Sequence, residues 1–219
     1  MSSQVHQRKK FERKSLPFRK DALIEATLCL ISSKGIDAAT VRAIAQHAGV
    51  TQGLIRYYFS TKEDLIAAAY KQHMSAITKA SHASLQSMEN KTPVERLAGF
   101  VSASLTPPVV DPGSVALWAA FLNKTQHDHR MRKIHQETYH DFRDQLETLI
   151  SDVLAHDKTP SDPKTLRELA TASNAVIDGL WLEGGALPDT FEPGELEKFG
   201  LRSICAIIGV QLPKRADEE

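Results

Sequence analysis

The stretch Thr51–Leu65 (TQGLIRYYFSTKEDL) concentrates side chains that can donate hydrogen bonds to a nucleobase or a phosphate. The amide of Gln52 can pair in a bidentate way with adenine N6 and N7, and the guanidinium of Arg56 can reach guanine O6 and N7 or a phosphate. Tyr57 and Tyr58 follow directly, and their hydroxyls can donate to phosphate oxygens. A hydrophobic core does not require these polar groups together, so the stretch predicts a surface that binds nucleic acid.

The elements expected to position these side chains are short helices joined by a tight turn. Thr40 is placed to cap a second helix and Thr51 a third, after a first helix that ends at Gly35. Gly49, between the second and third helices, can adopt the positive φ of a sharp turn. Residues 40–59 therefore form a predicted helix-turn-helix, a motif in which the N-terminal half of the last helix enters the major groove.

Gly53 lies inside the third helix, where a glycine lowers helix stability by about 1 kcal/mol relative to alanine. A missing side chain is useful at this position if the helix backbone must lie against DNA. The core beneath the helix is expected to contain four apolar side chains: Ile44, Val50, Ile55 and Phe59.

A fourth helix is predicted to begin directly after the third. Ser60 and Thr61 each stand three residues before an acidic side chain, which is the spacing of a capping box. The helix is expected to run to about Met88. Lys62 lies in its first turn, where free backbone N–H groups also attract a phosphate.

The charge of the chain is divided unevenly along its length. Residues 1–60 contain ten Lys and Arg against four Asp and Glu, which leaves seventeen basic and twenty-three acidic residues in the remainder. The first segment therefore carries a net charge of +6 and the second −6. A basic N-terminal segment on an acidic body predicts a polyanionic partner at one end, although a basic tail can also serve solubility alone.

Residues 39–70 resemble the DNA-binding domain of TetR-family transcriptional repressors. They match the pattern T-x-x-x-I-A-x-x-A-G-V-[ST]-x-G-x-[IL]-x-x-[YH]-F-x-[ST]-K-x-x-L at every fixed position. The resemblance extends over residues 17–77 and implies a set of DNA contacts. These contacts are Thr40, Arg42, Thr51, Gln52, Gly53, Leu54, Arg56, Tyr57, Tyr58 and Lys62. By their chemistry, Leu54 suits a thymine methyl group, whereas the threonine, tyrosine and lysine side chains suit phosphates.

Two later segments resemble the C-terminal region of the BetI-type branch of this family, whose members repress choline-to-betaine genes. They are residues 115–124 (VALWAAFLNK) and 174–185 (NAVIDGLWLEGG). Leu122 stands where that branch often has a further aromatic residue. The expected ligand-binding side chains share helical faces, three on one helix and two on another: Trp118, Phe121, Leu122, Asp178 and Trp181.

Two indoles and a carboxylate can enclose a quaternary ammonium group through cation–π contacts. The expected inducer is therefore choline or a related quaternary amine, and the alternative is a hydrophobic or aromatic small molecule. Aromatic stripes at helical spacing also occur in ordinary cores, in which case Asp178 would pair with an arginine or a backbone N–H.

The last two predicted helices are apolar over more than one face, which predicts a homodimer joined by four helices. The ten apolar residues concerned are Leu166, Leu169, Val176, Ile177, Leu180, Leu196, Phe199, Ile204, Ile207 and Ile208. A dimer also suits a helix-turn-helix, since two half-sites lie one helical turn of DNA apart.

A histidine-rich segment raises the alternative of a helical metalloenzyme. His127, His129, His135, His140 and Asp141 lie within fifteen residues, and such side chains can bind zinc. The first two do not share a helix face, and the surrounding charged residues indicate a solvated surface. The expectation is therefore no metal site, no cofactor and no catalytic residue.

Helical periodicity continues through the rest of the chain, and signals for strands are nearly absent. The predicted fold is all-α with about nine helices. The expected domains are a flexible basic arm (1–16), a TetR-type DNA-binding domain (17–77), a ligand-binding and dimerisation domain (78–212) and a flexible tail (213–219).

The expected function is that of a repressor that binds a palindromic operator in double-stranded DNA as a dimer and is released by a small-molecule inducer. No apolar run is long enough to span a bilayer, so we expect no membrane contact and a cytoplasmic location. The two cysteines, Cys29 and Cys205, lie in apolar helical patterns and are expected to be buried free thiols.

Overall fold

The computed structural model describes residues 16–159 and 161–211, and within these ranges it contains nine α-helices and no β-strand. The all-α fold class is thus confirmed. The predicted tail (213–219) and the predicted arm (1–16) lie outside the described residues, apart from Leu16, with which the first helix begins. None of the helices in the described ranges has the length and apolar character needed to cross a bilayer.

The helices follow one another through short connections, with a 3₁₀ turn after α1 and another before α9. Their bounds are α1 Leu16–Lys34, α2 Val41–His47, α3 Gln52–Tyr58, α4 Lys62–Gln86, α5 Pro93–Ser104, α6 Pro112–Thr125, α7 His129–His156, α8 Pro163–Ala186 and α9 Glu195–Ile208.

A first hydrophobic core holds the N-terminal helices together. It contains Leu23 and Ile31 of α1, Ile44 of α2 and Ile55 of α3, all of them almost fully buried. The same core continues into side chains from later helices, including Phe121 of α6. The N-terminal unit therefore rests directly on the larger helical region.

A second hydrophobic core lies among α5, α7, α8 and α9. Phe100 of α5 and Ile150 of α7 are fully buried in it, and the Phe100 ring lies 4.9 Å from the ring of Phe142. Ile177 of α8 and Ile204 of α9 complete the packing from the other side. This core makes the C-terminal helices one packed body.

Helix α4 connects the two cores because it is continuous from Lys62 to Gln86. Its first half contributes Leu65 and Tyr70 to the first core, and Ile77 packs against the second. The predicted domain boundary at residue 77 falls inside this helix, so no loop separates the two regions there. Helix α4 therefore belongs to both cores.

Two prolines lie at or just before the start of a helix. Asp111 caps α6 by accepting a hydrogen bond from the Ser114 N–H, and Pro112 is the first residue of that helix. Pro193 lies two residues before the first residue of α9, which begins after Gly194 at φ 84°. Of these two, only Pro112 therefore occupies the first helical position, where its missing N–H is not needed for a helical hydrogen bond.

The apolar faces of α8 and α9 are also used differently from the prediction. Nine of the ten predicted residues lie in or pack against the chain's own second core, and only Phe199 remains outside it. Phe199 is 38% exposed and Leu182 is 42% exposed. The apolar surface left for a partner on these helices is therefore smaller than the sequence pattern suggested.

The prediction of two buried thiols is half wrong. Both cysteines are free, and Cys205 is buried, but Cys29 is exposed. Its position on α1 faces away from the first core, which the neighbouring Leu30 enters.

Replacement of Gly49 by alanine tests the turn between α2 and α3. Gly49 adopts φ 66°, and a Cβ there would meet no atom within 4 Å, so the penalty is purely conformational. We expect the Gly49→Ala variant to lose about 1–2 kcal/mol of unfolding free energy in chemical denaturation. Gly49→Asn should lose less, because asparagine tolerates the left-handed region. Equal losses in the two variants would contradict this explanation.

Candidate nucleic-acid interface and ligand cavity

The turn between α2 and α3 sets the angle of the predicted recognition helix. Thr40 caps α2, since its hydroxyl accepts a hydrogen bond from the Ala43 N–H at 3.1 Å. After Gly49, the N–H of Val50 donates to the carbonyl of Ala45 at 2.9 Å. These bonds complete a helix-turn-helix within the range predicted from the sequence.

The predicted DNA contacts lie on α2 and its cap, on α3 and its cap, and at the start of α4. Seven of them are exposed: Thr40, Arg42, Thr51, Gln52, Gly53, Arg56 and Tyr57. Leu54, Tyr58 and Lys62 are half-buried, and the rings of Tyr57 and Tyr58 meet edge to face with 5.1 Å between centroids. Among the large hydrophobic side chains whose exposure the structure describes, Tyr57 is the most exposed, at 71%. The polar side chains that the sequence singled out are thus available to a partner.

The core assignments beneath this surface hold for Ile44, Ile55 and Phe59, which are buried, whereas Val50 is half-buried. The side chain of Lys20, on α1, lies over the Phe59 ring with its Nζ 5.7 Å from the centroid. Sequence reasoning did not place this positive charge beside α3, because the contact joins segments distant in the chain.

Thr51 occupies the N-cap position of α3, but its side chain makes no capping hydrogen bond. The prediction of a capping role for its hydroxyl is therefore wrong for this structure. Thr51 has an extended backbone and is exposed, so its side chain is available to a partner.

The start of α4 is fixed by a capping box and by an ion pair to a distant helix. Thr61 accepts from the Asp64 N–H, and the Asp64 carboxylate accepts from the Thr61 N–H at 3.0 Å. Asp64 also pairs with Arg130 in the first turn of α7. The hydrogen bonds from Thr61, together with Arg130, lower the pKa of Asp64. The end of α4 nearest the predicted DNA surface is thereby attached to α7.

A cavity of about 60 Å³ lies between the two cores, with lining residues from α4, α5, α6, α7 and α8 and from the α5–α6 connection. Most of its wall is apolar or aromatic. The apolar lining includes Met74, Ile77, Trp118, Tyr139, Phe142 and Trp181. The polar lining includes Thr78, Ser104, Thr138, Asn174 and Asp178.

Two indoles form one side of this cavity. The rings of Trp118 and Trp181 meet edge to face, with 5.9 Å between centroids. The Trp181 Nε1–H donates to the carbonyl of Val109 at 2.8 Å, which fixes that ring. This arrangement presents aromatic surface to the cavity while the polar atom of Trp181 is satisfied elsewhere.

Asp178 places a carboxyl group in this mostly apolar wall. Burial raises its pKa to about 6, although the hydrogen bond from Asn174 and the positive charge of Arg143 act in the opposite direction. The Asn174 amide donates to the carboxylate at 2.8 Å. A carboxylate in such surroundings favours a positively charged neighbour, since burial penalises its charge.

The structure brings three of the five predicted ligand-binding residues together and separates two. Trp118, Asp178 and Trp181 line the cavity. Phe121 does not line it, because its fully buried ring packs 4.8 Å from Tyr70 in the first core. Leu122 is half-buried and also lies outside the lining. Residues that share one face of a helix therefore contact different parts of the molecule.

Ten of the thirteen residues that line the cavity were not predicted as ligand-binding residues, and for three of them the sequence carried a signal. Tyr139 and Phe142 are the only Phe, Tyr or Trp residues of α7, and their spacing of three places them on one helical face. Asn174 stands four residues before Asp178, a spacing at which helical side chains interact. These spacings could have indicated residues of the cavity. The many charged residues of α7 instead suggested a helix that is exposed to solvent on all sides.

The histidine-rich segment does not form a metal site in the described part of the chain. No group of three or more His, Cys, Asp or Glu side chains there is arranged to hold a metal ion. His127, His129 and His140 are exposed, whereas His135 turns inward. Its Nδ1 lies 2.6 Å from the Tyr70 hydroxyl, so this side chain has a protein partner instead.

Curated relatives of this chain are bacterial transcriptional regulators. The HTH-type transcriptional regulator BetI of Pseudomonas fluorescens Pf-5 is 30% identical over 202 residues, which are 91% of this chain and 95% of the relative. The regulator BetI 2 of Chromohalobacter salexigens is 29% identical over 180 residues, 82% of this chain and 83% of that protein.

Solved structures share the fold over nearly the whole length. A transcriptional regulator from Pseudomonas aeruginosa PAO1 matches with a TM-score of 0.80 and 27% identity, covering 93% of this chain and 95% of its own. A regulator from Saccharomonospora viridis in complex with choline has a TM-score of 0.69 at 20% identity, covering 91% of this chain and 100% of its own. The second likeness concerns the fold alone.

Two family models match successive parts of the chain. The model for bacterial regulatory proteins of the tetR family matches residues 23–69, which contain the helix-turn-helix. The model for the C-terminal region of BetI-type transcriptional repressors matches residues 93–209, more than half of the chain. The chain therefore belongs to the TetR family of bacterial transcriptional regulators and carries a C-terminal region of the BetI type.

Proposed function

We propose that the protein is a dimeric repressor that binds a palindromic operator and is released when a small cationic molecule occupies the cavity. In this proposal, residues 17–77 form the DNA-binding domain and residues 78–212 the ligand-binding and dimerisation domain. The basic arm (1–16), which apart from Leu16 lies outside the described residues, adds phosphate contacts in this proposal. Since its target is bacterial DNA, the protein acts in the cytoplasm.

The surface of α3 supports the DNA-binding part of the proposal. Gln52 and Arg56 are exposed on the helix that a helix-turn-helix inserts into the major groove, where they suit base edges. Gly53 lies between them with only one atom, the Thr51 hydroxyl, within 4 Å of a Cβ built there. The helix backbone can therefore come close to DNA at this point.

The exposed faces of α8 and α9 support the dimer. Phe199 and Leu182 expose large apolar side chains there, and a Cβ added to Gly179, in the middle of α8, would meet no atom within 4 Å. A bare helix backbone next to exposed apolar groups suits the close approach of a second copy. Two-fold symmetry would place two α3 helices on one face of the DNA.

The observation that carries the ligand proposal is the Asp178 carboxyl group in an aromatic wall. Trp118, Trp181 and Tyr139 surround the same space, so a quaternary ammonium group could contact π-faces and a carboxylate together. Choline and related amines fit this chemistry. The mostly apolar lining also favours a second candidate, an uncharged aromatic or hydrophobic inducer, which would bind without help from Asp178.

Replacement of Gly53 by alanine should separate folding from DNA binding. Alanine in the middle of α3 should raise the unfolding free energy by about 0.5–1 kcal/mol, because the site is open and helical. The added methyl group should weaken binding to a selected operator duplex by about 1–3 kcal/mol. Fluorescence anisotropy and denaturation measure the two effects, with Gln46→Ala on α2 as the control. Unchanged DNA affinity would contradict the proposal that the helix backbone at Gly53 lies close to DNA.

The pH dependence of choline affinity tests the role of Asp178. Because burial raises the pKa of Asp178 to about 6, the carboxyl is ionised above that pH and increasingly neutral below it. Affinity for a cation should therefore be about half its full value near pH 6, approach the full value roughly one pH unit higher, and be about tenfold weaker at pH 5. Calorimetric titration should show this loss in the wild type.

Two variants make the same test specific. Asp178→Asn should bind choline weakly at every pH, whereas Asp144→Asn, an exposed change on α7, should keep the wild-type profile. A flat pH profile together with tight binding by Asp178→Asn would favour the uncharged inducer.

Replacement of Phe199 by glutamate tests the dimer. A carboxylate buried without a partner at the interface should raise the dimer dissociation constant by at least about a hundredfold. Analytical ultracentrifugation measures the change, and Ala155→Glu at the exposed end of α7 is the control. A Phe199→Glu variant that sediments like the wild type would place the interface elsewhere.

A further inference from the structure

We infer that three side chains, Tyr139, His135 and Tyr70, couple the cavity to the DNA-binding domain, with His135 as the positioning residue between the two tyrosines. We call these three residues the tyrosine–histidine bridge. The inference rests on the proposed function, because it explains how occupancy of the cavity reaches the helices that face DNA. It adds a specific route to the general antagonism of ligand and operator.

The size of the cavity requires its walls to move when a ligand binds. Its volume is about 60 Å³. An apolar cavity that accepts benzene in another protein measures about 150 Å³, so a molecule with several heavy atoms does not fit here without rearrangement. Side chains that line the cavity must therefore shift, and Tyr139 is one of them.

Tyr139 is joined to His135 by direct ring contact on α7. The two residues are four positions apart, and their ring centroids lie 4.4 Å apart with an angle of 41° between the planes. Tyr139 lines the cavity together with Trp118 and Asp178. A ligand that displaces the Tyr139 ring therefore pushes it against the His135 ring.

His135 is joined in turn to Tyr70 of α4. The His135 Nδ1 and the Tyr70 hydroxyl oxygen lie 2.6 Å apart, a hydrogen bond in which either group can donate. The two rings are nearly parallel, at 13° with 6.4 Å between centroids. Because hydrogen bonds weaken steeply with distance and misalignment, a small rotation of His135 changes this bond strongly.

Tyr70 belongs to the core of the DNA-binding domain. Its side chain is fully buried and packs against Phe121, so it cannot exchange His135 for bulk water. It lies eight residues after Lys62, the first residue of α4, which is a distance of roughly 12 Å along the helix. Loss of the hydrogen bond to His135 therefore changes the contacts of α4, the helix that supports α3.

A second contact links the same two helices but does not reach the cavity. The Asp64–Arg130 ion pair joins the first turns of α4 and α7, and its side chains are 35% and 50% exposed. Neither residue lines the cavity. This pair holds α7 against α4 at the surface, whereas the tyrosine–histidine bridge connects the buried cavity with the buried core.

The bridge can be followed with 3-fluorotyrosine and ¹⁹F NMR, because the chain has only four tyrosines. Two of them, Tyr70 and Tyr139, are in the bridge, and Tyr57 and Tyr58 lie on the predicted DNA surface. Choline is one probe of the cavity. The substitution Ile177→Phe, which fills the cavity without a ligand, is a second, and Thr78→Ile is a milder alternative if that variant does not fold.

In the otherwise wild-type protein, occupying the cavity should shift the signals of both Tyr139 and Tyr70. His135→Phe keeps a ring against Tyr139 but removes Nδ1, and His135→Asn keeps a polar group but removes the ring. In both backgrounds the Tyr139 shift should remain and the Tyr70 shift should be lost. His140→Phe, an exposed neighbour on α7, should leave both shifts intact.

A Tyr70 shift that persists in both His135 variants would overturn the inference, as would a wild-type Tyr70 signal that stays fixed while Tyr139 moves. If choline shifts neither tyrosine signal but Ile177→Phe shifts both, the result contradicts the proposed cationic inducer and supports the tyrosine–histidine bridge. The two proposals therefore fail independently.

Discussion

The continuity of helix α4 is the constraint on which the arrangement of the molecule depends. Its 25 residues extend roughly 37 Å from the capping box beside α3, and the cavity lies against the middle of the helix. Leu65 and Tyr70 anchor one half in the first core, and Met74 and Ile77 face the cavity from the other. Because a helix of this kind moves as a rigid element, the position of the DNA-binding helices and the shape of the cavity cannot be set independently. Antagonism between a ligand and DNA follows from that dependence if each favours a different position of α4.

The cavity and the α3 surface differ in what they contribute to this scheme. The α3 surface consists of exposed polar side chains, which contribute binding free energy only when they contact DNA. The cavity is built from buried groups that already interact, such as the hydrogen bond between Asn174 and Asp178. A ligand must therefore compete with existing contacts, and part of its binding energy goes into displacing them. That displacement is the physical source of a conformational signal.

The sequence predicted the helix-turn-helix well because its signals are local. A threonine cap, a glycine at φ 66° and apolar residues at helical spacing lie within twenty residues, and each has a direct structural meaning. The cavity was predicted only in part, since a helical stripe shows which residues share a face but not what that face meets. Trp118 and Phe121 share such a face, yet one ring reaches the cavity and the other reaches Tyr70. The hydrogen bond between Tyr70 and His135 joins residues 65 positions apart, and no local sequence pattern predicts it.

The central claim is that one free energy couples the cavity to the operator, and reciprocal titration tests it most directly. Operator affinity is measured with and without saturating choline, and choline affinity is measured with and without saturating operator. The account predicts that both affinities fall, and by the same factor, because linkage requires equal coupling in both directions. Choline binding that leaves operator affinity unchanged would contradict the account.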